Sequence, residues 1–241
     1  MLTLSNGENI INIDDFGYSI LLYAARYNYE NIVELIINSG IDINYKNKHQ
    51  NSALIYATKY NNINIVKLLL LNGANVNDKD KTGTTPLMYA SINGNLEIMH
   101  ILLKYEANVN DIDTYGCTSL MHAIFDGDQI VIEFLNTKNV DIHKPFDRKD
   151  IIKVLLDNGA DINIKDIFGK TLLMHSIVRN NCELMSLLIE NNADIYTTDT
   201  KGTNILELAN KICNIQFIEF IKNIYEDKTF EDYIPQINIE I

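Results

Sequence analysis

Cys117 and His122 stand five residues apart, and a thiol beside an imidazole is a pairing from which a nucleophile can be made. The chemistry needs a third group to orient the base, and none is evident. Cys117 also falls in a turn, whereas His122 falls inside a helix. Zinc fares no better. His49, His100, His122, His143 and His175 never adopt a ligand-pair spacing with Cys117, Cys182 or Cys213. "NGENI" and "NGANV" each carry a single glycine and lack the pattern of a phosphate loop. The acidic pairs Asp14–Asp15 and Asp111–Asp113 read as solvated turn formers. No catalytic residue, metal site or cofactor is expected.

The elements that position these residues are written into the chain at a fixed period. Leu21, Leu54, Leu87 and Leu120 are spaced by 33, as are Leu173 and Leu206 after one step of 53. Ala24, Ala57, Ala90 and Ala123 keep the same register three residues later, continued by Ser176 and Ala209. A fixed period of this length marks a solenoid. The fullest copy runs from Asp80 to Asp111. Gly83 permits the positive φ of a tight turn, and Thr85 and Pro86 open a helix. Ser19, Ser52, Thr85, Thr118, Thr171 and Asn204 all have side chains able to accept from orphan amides at a helix start. Asn28, Asn61, Gly94, Gly127 and Asn180 suit the left-handed helix end. A second apolar helix follows, closed by Gly40, Gly73 or Gly159.

This pattern, D-x-x-G-x-T-P-L-x-x-A followed by G-x-x-E-I, L-L and G-A-D-V-N, resembles the ankyrin repeat and covers roughly residues 7–225. The resemblance implies an all-α solenoid of stacked helix–turn–helix units with projecting β-hairpin turns. Where that family carries T-P-L-H, none of the copies here has histidine. His122 and His175 stand one place later, where other copies have Tyr23, Tyr56 and Tyr89.

One array across residues 1–241 is expected. A partial repeat fills 1–13, since Gly7 lies 33 before Gly40, and repeats follow near 14–46, 47–79, 80–112 and 113–145. The 53-residue step predicts a truncated repeat at 146–165 lacking its first helix, with Ile151, Val154 and Leu155 short of a neighbour. A further repeat occupies 166–198 and a capping repeat 199–225. A tail spans 226–241, in which "INIEI" has the alternation of a short strand. Closing the gap of the truncated repeat would tilt its neighbours inward or fold residues 144–150 over it.

Composition narrows the partners. A net charge of −12 disfavours a nucleic-acid backbone and suits solubility or a basic partner. Three cysteines cannot all pair, which points to a reducing interior and a cytoplasmic protein, or the host cytoplasm if it is a pathogen's. No apolar run is long enough to cross a membrane. A monomer with no small-molecule substrate is expected.

The resemblance also implies where a partner protein would dock: on the hairpin tips and the inner face of the first helices. Carried onto this chain, the tips are Phe16, Tyr18, Lys48, His49, Lys81, Tyr115 and Phe168. The inner positions are Arg26, Tyr27, Lys59, Tyr60 and Phe125. Tyrosine and arginine are favoured at binding hot spots. The expected function is a non-catalytic protein–protein interaction scaffold. The alternative is a targeting arm of a larger enzyme or ubiquitin-ligase-type adaptor, as in some viral and bacterial proteins of the family.

Overall fold

Each repeat starts with a side chain that folds the backbone back on itself. Asp80 Oδ1 accepts from the amides of Thr82 (2.8 Å) and Thr84 (3.0 Å), and the Gly83 amide donates to the Asp80 carbonyl at 2.9 Å. Gly83 has φ +77°, and a Cβ there would stand 3.0 Å from the Asp113 Cα of the next turn. The glycine thus serves both the bend and the close approach of successive turns. Asp14, Asp113, Asp166 and Asp199 bond their own turn amides in the same way, and Asn47 does so with its amide oxygen.

The computed structural model describes residues 13–124, 149–179, 181–212, 218, 219 and 221. Its helices are α1 (Ile20–Arg26), α2 (Glu30–Asn38), α3 (Ala53–Lys59), α4 (Ile63–Leu71), α5 (Pro86–Asn93), α6 (Leu96–Lys104), α7 (Ser119–Ile124), α8 (Lys149–Asp157), α9 (Leu172–Val178), α10 (Cys182–Glu190) and α11 (Ile205–Ile212). The six expected caps all form: Ser19, Ser52, Thr85, Thr118 and Thr171 through their hydroxyls and Asn204 through its amide oxygen. Asn28, Asn61 and Gly94 end the first helices at φ 62°, 59° and 69°. The turns close through backbone bonds such as Asp80 N–H to Thr84 O (3.2 Å), and no strand forms among the described residues.

The chain divides into two compact units, residues 1–161 and 162–241. In the first, α1, α3, α5 and α7 pack side by side as one layer, and α2, α4, α6 and α8 form the second. Leu21, Leu54, Leu87 and Leu120 are fully buried between neighbours, each worth roughly 1.5–3 kcal/mol. Ala24, Ala57, Ala90 and Ala123 are equally buried, and their small side chains let the helices approach. In the second unit α9 packs against α10 and α11. Ser176, in the alanine register, satisfies its hydroxyl on the Leu173 carbonyl at 2.7 Å.

An asparagine ladder joins consecutive repeats and shows where the period breaks. Asn44 donates to the Gly73 carbonyl and accepts from the Asn75 amide; Asn77 treats Glu106 and Asn108 alike. Asn110 makes the same two bonds to Gly159 (3.0 Å) and Asp161 (2.7 Å). These offsets are 49 and 51, where the others are 29 and 31: twenty residues longer. α8 packs against α7 and α6, the places of a second helix in that same repeat. The expected boundary between a repeat at 113–145 and a truncated one at 146–165 lies outside the described residues. Residues 149–161 make the contacts of a second helix and its exit turn with the repeat opened at Asp113, twenty residues later in the chain than elsewhere. Of the three side chains expected to lack a neighbour, Ile151 and Leu155 are buried and Val154 is half-buried. Residues 144–148, the partial repeat at 1–12 and the tail at 226–241 lie outside the described residues.

Candidate functional site

The residues that end α1 and α3 reach solvent, and their types set the chemistry of the exposed surface there. Arg26 ends α1, with Tyr27 as its cap; Lys59 ends α3, with Tyr60 as its cap. A cation there complements the negative end of the helix. Because the repeats stack in register, the two ends lie side by side. The Arg26 guanidinium sits 5.3 Å from the Tyr27 ring centroid and 5.4 Å from that of Tyr60. Lys59 Nζ lies 5.3 Å from the Tyr89 centroid. These are cation–π distances.

The rings extend further than these pairs. Tyr18, Tyr23, Tyr27 and Tyr29 follow one another with centroids 5.1–6.3 Å apart. Tyr56 joins Tyr18 at 5.6 Å and Tyr60 at 6.3 Å. Tyr27 and Tyr29 are each more than half exposed, and Tyr23 and Tyr60 are also open to solvent. The lower edge of this surface is tied into the turns. Tyr23 donates its hydroxyl to Asp14 Oδ2 (2.7 Å), and Tyr89 donates to Asp80 Oδ2 (2.7 Å). Tyr56 faces Asn47, with no carboxylate to take its proton. It accepts from Asn47 Nδ2 (3.2 Å) and donates to the Tyr18 hydroxyl (2.6 Å).

These bonds move the acidities in opposite directions. The Tyr23 hydroxyl, aided by the Tyr18 amide, holds Asp14 below the ordinary carboxylate range, and the same bond raises Tyr23. Burial pushes Tyr89 up, with Asp80 adding to it; burial and the Tyr18 bond raise Tyr56. In the later repeats the ring is an imidazole. His122 Nε2 lies 2.9 Å from Asp113 Oδ2, and His175 Nε2 lies 2.8 Å from Asp166 Oδ2. Burial lowers His175, against the pull of Asp166. His122 is thus oriented by the acid of its own turn, in the same geometry as the tyrosines.

The structure spreads the sequence-derived positions over different roles. Arg26, Tyr27, Lys59 and Tyr60 come together. Phe16, Tyr115 and Phe168 are exposed at turn tips, and Lys81 and His49 are exposed beside them. Adjacent tips are also bonded to one another. Lys48 Nζ donates to the Asp15 carbonyl at 2.7 Å, and the Lys81 amide donates to the His49 carbonyl at 3.0 Å. In the second unit the Thr200 amide donates to the Phe168 carbonyl at 3.0 Å. Tyr18 is half-buried and serves the ring network. Phe125 lies outside the described residues. Tyr23 and Tyr29 belong to the surface without having been singled out for it, and Tyr56 is buried beneath it. The nine-residue interval from turn acid to ring (14 to 23, 80 to 89, 113 to 122, 166 to 175) is the signal that finds the ring position.

A family model described as ankyrin repeats matches residues 1–80, 54–146 and 144–232. The chain belongs to the ankyrin-repeat family. Among its relatives, a fowlpox virus (strain NVSL) protein named as an ankyrin repeat protein is 40% identical over 72 residues, covering 29% of this chain and 28% of that protein. A mimivirus protein so named is 33% identical over 92 residues, covering 38% of this chain and 56% of the relative. One from Rickettsia bellii (strain RML369-C) is 29% identical over 94 residues, covering 38% and 52%. The aligned parts thus span between about a quarter and about half of these relatives. Proteins of the ankyrin-repeat family are generally interaction modules, and the chain's ring-and-cation surface is to be read in that light. Among the described residues, no helix is long and apolar enough to cross a membrane, and no group of three or more histidine, cysteine or acidic side chains is placed to hold a metal ion.

Proposed function

We propose that this ankyrin-repeat chain binds a partner protein on the first-helix face of its early repeats and carries out no reaction of its own. One observation carries the reading: Tyr23, Tyr27, Tyr29 and Tyr60 expose their rings on one surface, around a guanidinium, where no ring is needed to fill the core. Exposed aromatic clusters with an arginine among them are the composition of interface hot spots. The stacked scaffold holds these groups in place before binding, so little side-chain entropy is lost on docking. The exposed tips Phe16, Lys48, His49, Lys81, Tyr115 and Phe168 would extend the contact. The non-catalytic reading is supported by how the acids are used: Asp113 Oδ1 takes the amides of Tyr115 and Cys117, and its Oδ2 takes His122. A monomer in the cytoplasm, or in a host's cytoplasm, fits this role.

The test is affinity capture from native lysate with mass spectrometry, wild type beside the Tyr27→Ala/Tyr60→Ala variant. A partner retained by wild type and lost by the variant, with the unfolding temperature unchanged, is the expected outcome. A partner retained equally by both sinks the assignment of this face.

The fowlpox relative is matched over only 28% of its length, which favours a second reading: a targeting arm within a larger enzyme or ubiquitin-ligase-type adaptor. An in-frame neighbouring domain in the native transcript would support it, and its absence would remove it.

A further inference from the structure

Arg26 is held in position by rings alone. Its guanidinium rests between Tyr27 and Tyr60, and among the described residues it forms no ion pair and no side-chain hydrogen bond. A guanidinium carries five donors in a planar fork, and leaving them without an acceptor on a half-buried side chain is costly unless water or a ligand takes them. The helix-end carbonyls and turn carboxylates of these repeats already accept from other donors. The last carbonyls of α1, on Ala25 and Arg26, accept from Asn62 Nδ2 at 2.7 and 3.3 Å. The corresponding carbonyls of α3, on Thr58 and Lys59, accept from Asn93 Nδ2, each at 3.1 Å. The nearby turn carboxylates of Asp14 and Asp80 are committed to turn amides and to the hydroxyls of Tyr23 and Tyr89. Asp14 and Asp80 point into their own turns, and Arg26 stands among the rings. An acidic chain therefore presents a locally cationic, aromatic surface.

We infer that the occupant of this surface is an acidic segment of a partner protein, with a carboxylate paired to Arg26 and apolar side chains lying on Tyr23, Tyr27 and Tyr60. The inference rests on the proposed docking face and adds the chemistry of what docks. A carboxylate matches the guanidinium fork with two parallel N–H···O bonds, and the flanking rings hold the fork so that little freedom is lost on pairing. The net charge of −12 does not prevent the approach, since charges more than about 8 Å away are largely screened at physiological ionic strength. The surface is thus selective at short range: a basic segment would meet the Arg26 guanidinium head on.

The experiment is selection of displayed random dodecapeptides on the full chain, followed by affinity measurement on the selected peptides with wild type, Arg26→Lys, Arg26→Gln and Tyr27→Ala/Tyr60→Ala. The expected result is enrichment in Asp and Glu beside apolar residues. Arg26→Lys should weaken binding at least tenfold, because it keeps the charge and loses the fork, and Arg26→Gln should weaken it further. Each variant's unfolding temperature should match wild type. Basic or neutral peptides that still depend on Tyr27 and Tyr60 would overturn the carboxylate and leave the docking face standing. Peptides indifferent to Tyr27 and Tyr60 would overturn both. Acidic peptides that bind equally to Arg26→Lys would overturn the paired fork, and failure to select any peptide would overturn a surface suited to short acidic segments.

Discussion

The repeat that opens at Asp80 and the one that opens at Asp166 build the same corner with different rings. In both, one carboxylate oxygen gathers the turn amides and the other reaches a ring nine residues later. In the first the ring is Tyr89, a neutral donor whose burial moves its titration further from physiological pH. In the second it is His175, an imidazole whose titration is moved downward by burial, against the pull of Asp166. Position and hydrogen-bond geometry are set by the repeat, whereas sensitivity to pH is set by the residue placed there. The corner at Asn47 makes the point again: with an amide in place of the carboxylate, Tyr56 turns its hydroxyl proton to Tyr18.

The largest effect should come from removing the shared element. Asp80→Ala leaves the amides of Thr82 and Thr84 and the buried Tyr89 hydroxyl without their acceptor, and should cost about 3–4 kcal/mol in denaturant unfolding. Asp166→Ala, at a more open corner, should cost about 2 kcal/mol. Asp80→Asn should cost less than Asp80→Ala, since Asn47 already performs the turn-closing part. Equal losses for Ala and Asn would show that the charge, and not the acceptor geometry, holds the corner.

Next in size is a contrast between glycines of the second unit. Gly169 has φ +73°, and a Cβ there would fall 2.7 Å from the Thr200 backbone nitrogen; Gly202 has φ +78° with nothing within 4 Å. Gly202→Ala should cost about 1 kcal/mol for the left-handed conformation alone. Gly169→Ala should cost about 3 kcal/mol, because the next turn must also move. Equal losses in thermal unfolding would mean that turn-to-turn packing contributes little.

Smaller is the pH response that separates the two rings. His175 has a folded pKa below its unfolded value of 6.5, so the unfolded chain binds the extra proton first. Its contribution is present above pH 6.5 and is lost as pH falls through the unfolded value towards the folded one. Unfolding free energy measured between pH 7.5 and 5.5 should decline, and His175→Tyr should flatten that decline. A slope unchanged in His175→Tyr would assign it to other groups. Least of all should stability notice Tyr27→Ala/Tyr60→Ala, by less than about 1 kcal/mol together, since both rings are exposed. A larger loss would make the ring surface part of the fold.

Much of this molecule is legible from local rules. The caps at Ser19, Ser52 and Thr85, the left-handed ends at Asn28 and Asn61 and the turn glycines each depend on a few neighbouring residues, and the structure carries them out. Register alone also groups Arg26 with Tyr27 and Lys59 with Tyr60, because equal positions in consecutive repeats become neighbours. Tyr18 looked like a free tip residue and is half-buried instead, since its hydroxyl partner, Tyr56, lies thirty-eight residues away.

The sequence by itself determined the period, the turn and cap chemistry and the family, because these are properties of short stretches repeated at a fixed interval. The tertiary structure alone decided which second helix completes the repeat begun at Asp113. The local patterns around 149–157 suit any second helix, and only the bonds of Asn110 to Gly159 and Asp161 and the packing of α8 on α7 choose its partner. It also decided that Arg26 is gripped by two rings and otherwise left open. That depends on where the carbonyls and carboxylates of two stacked repeats find their own donors, and short-range pattern says nothing about it.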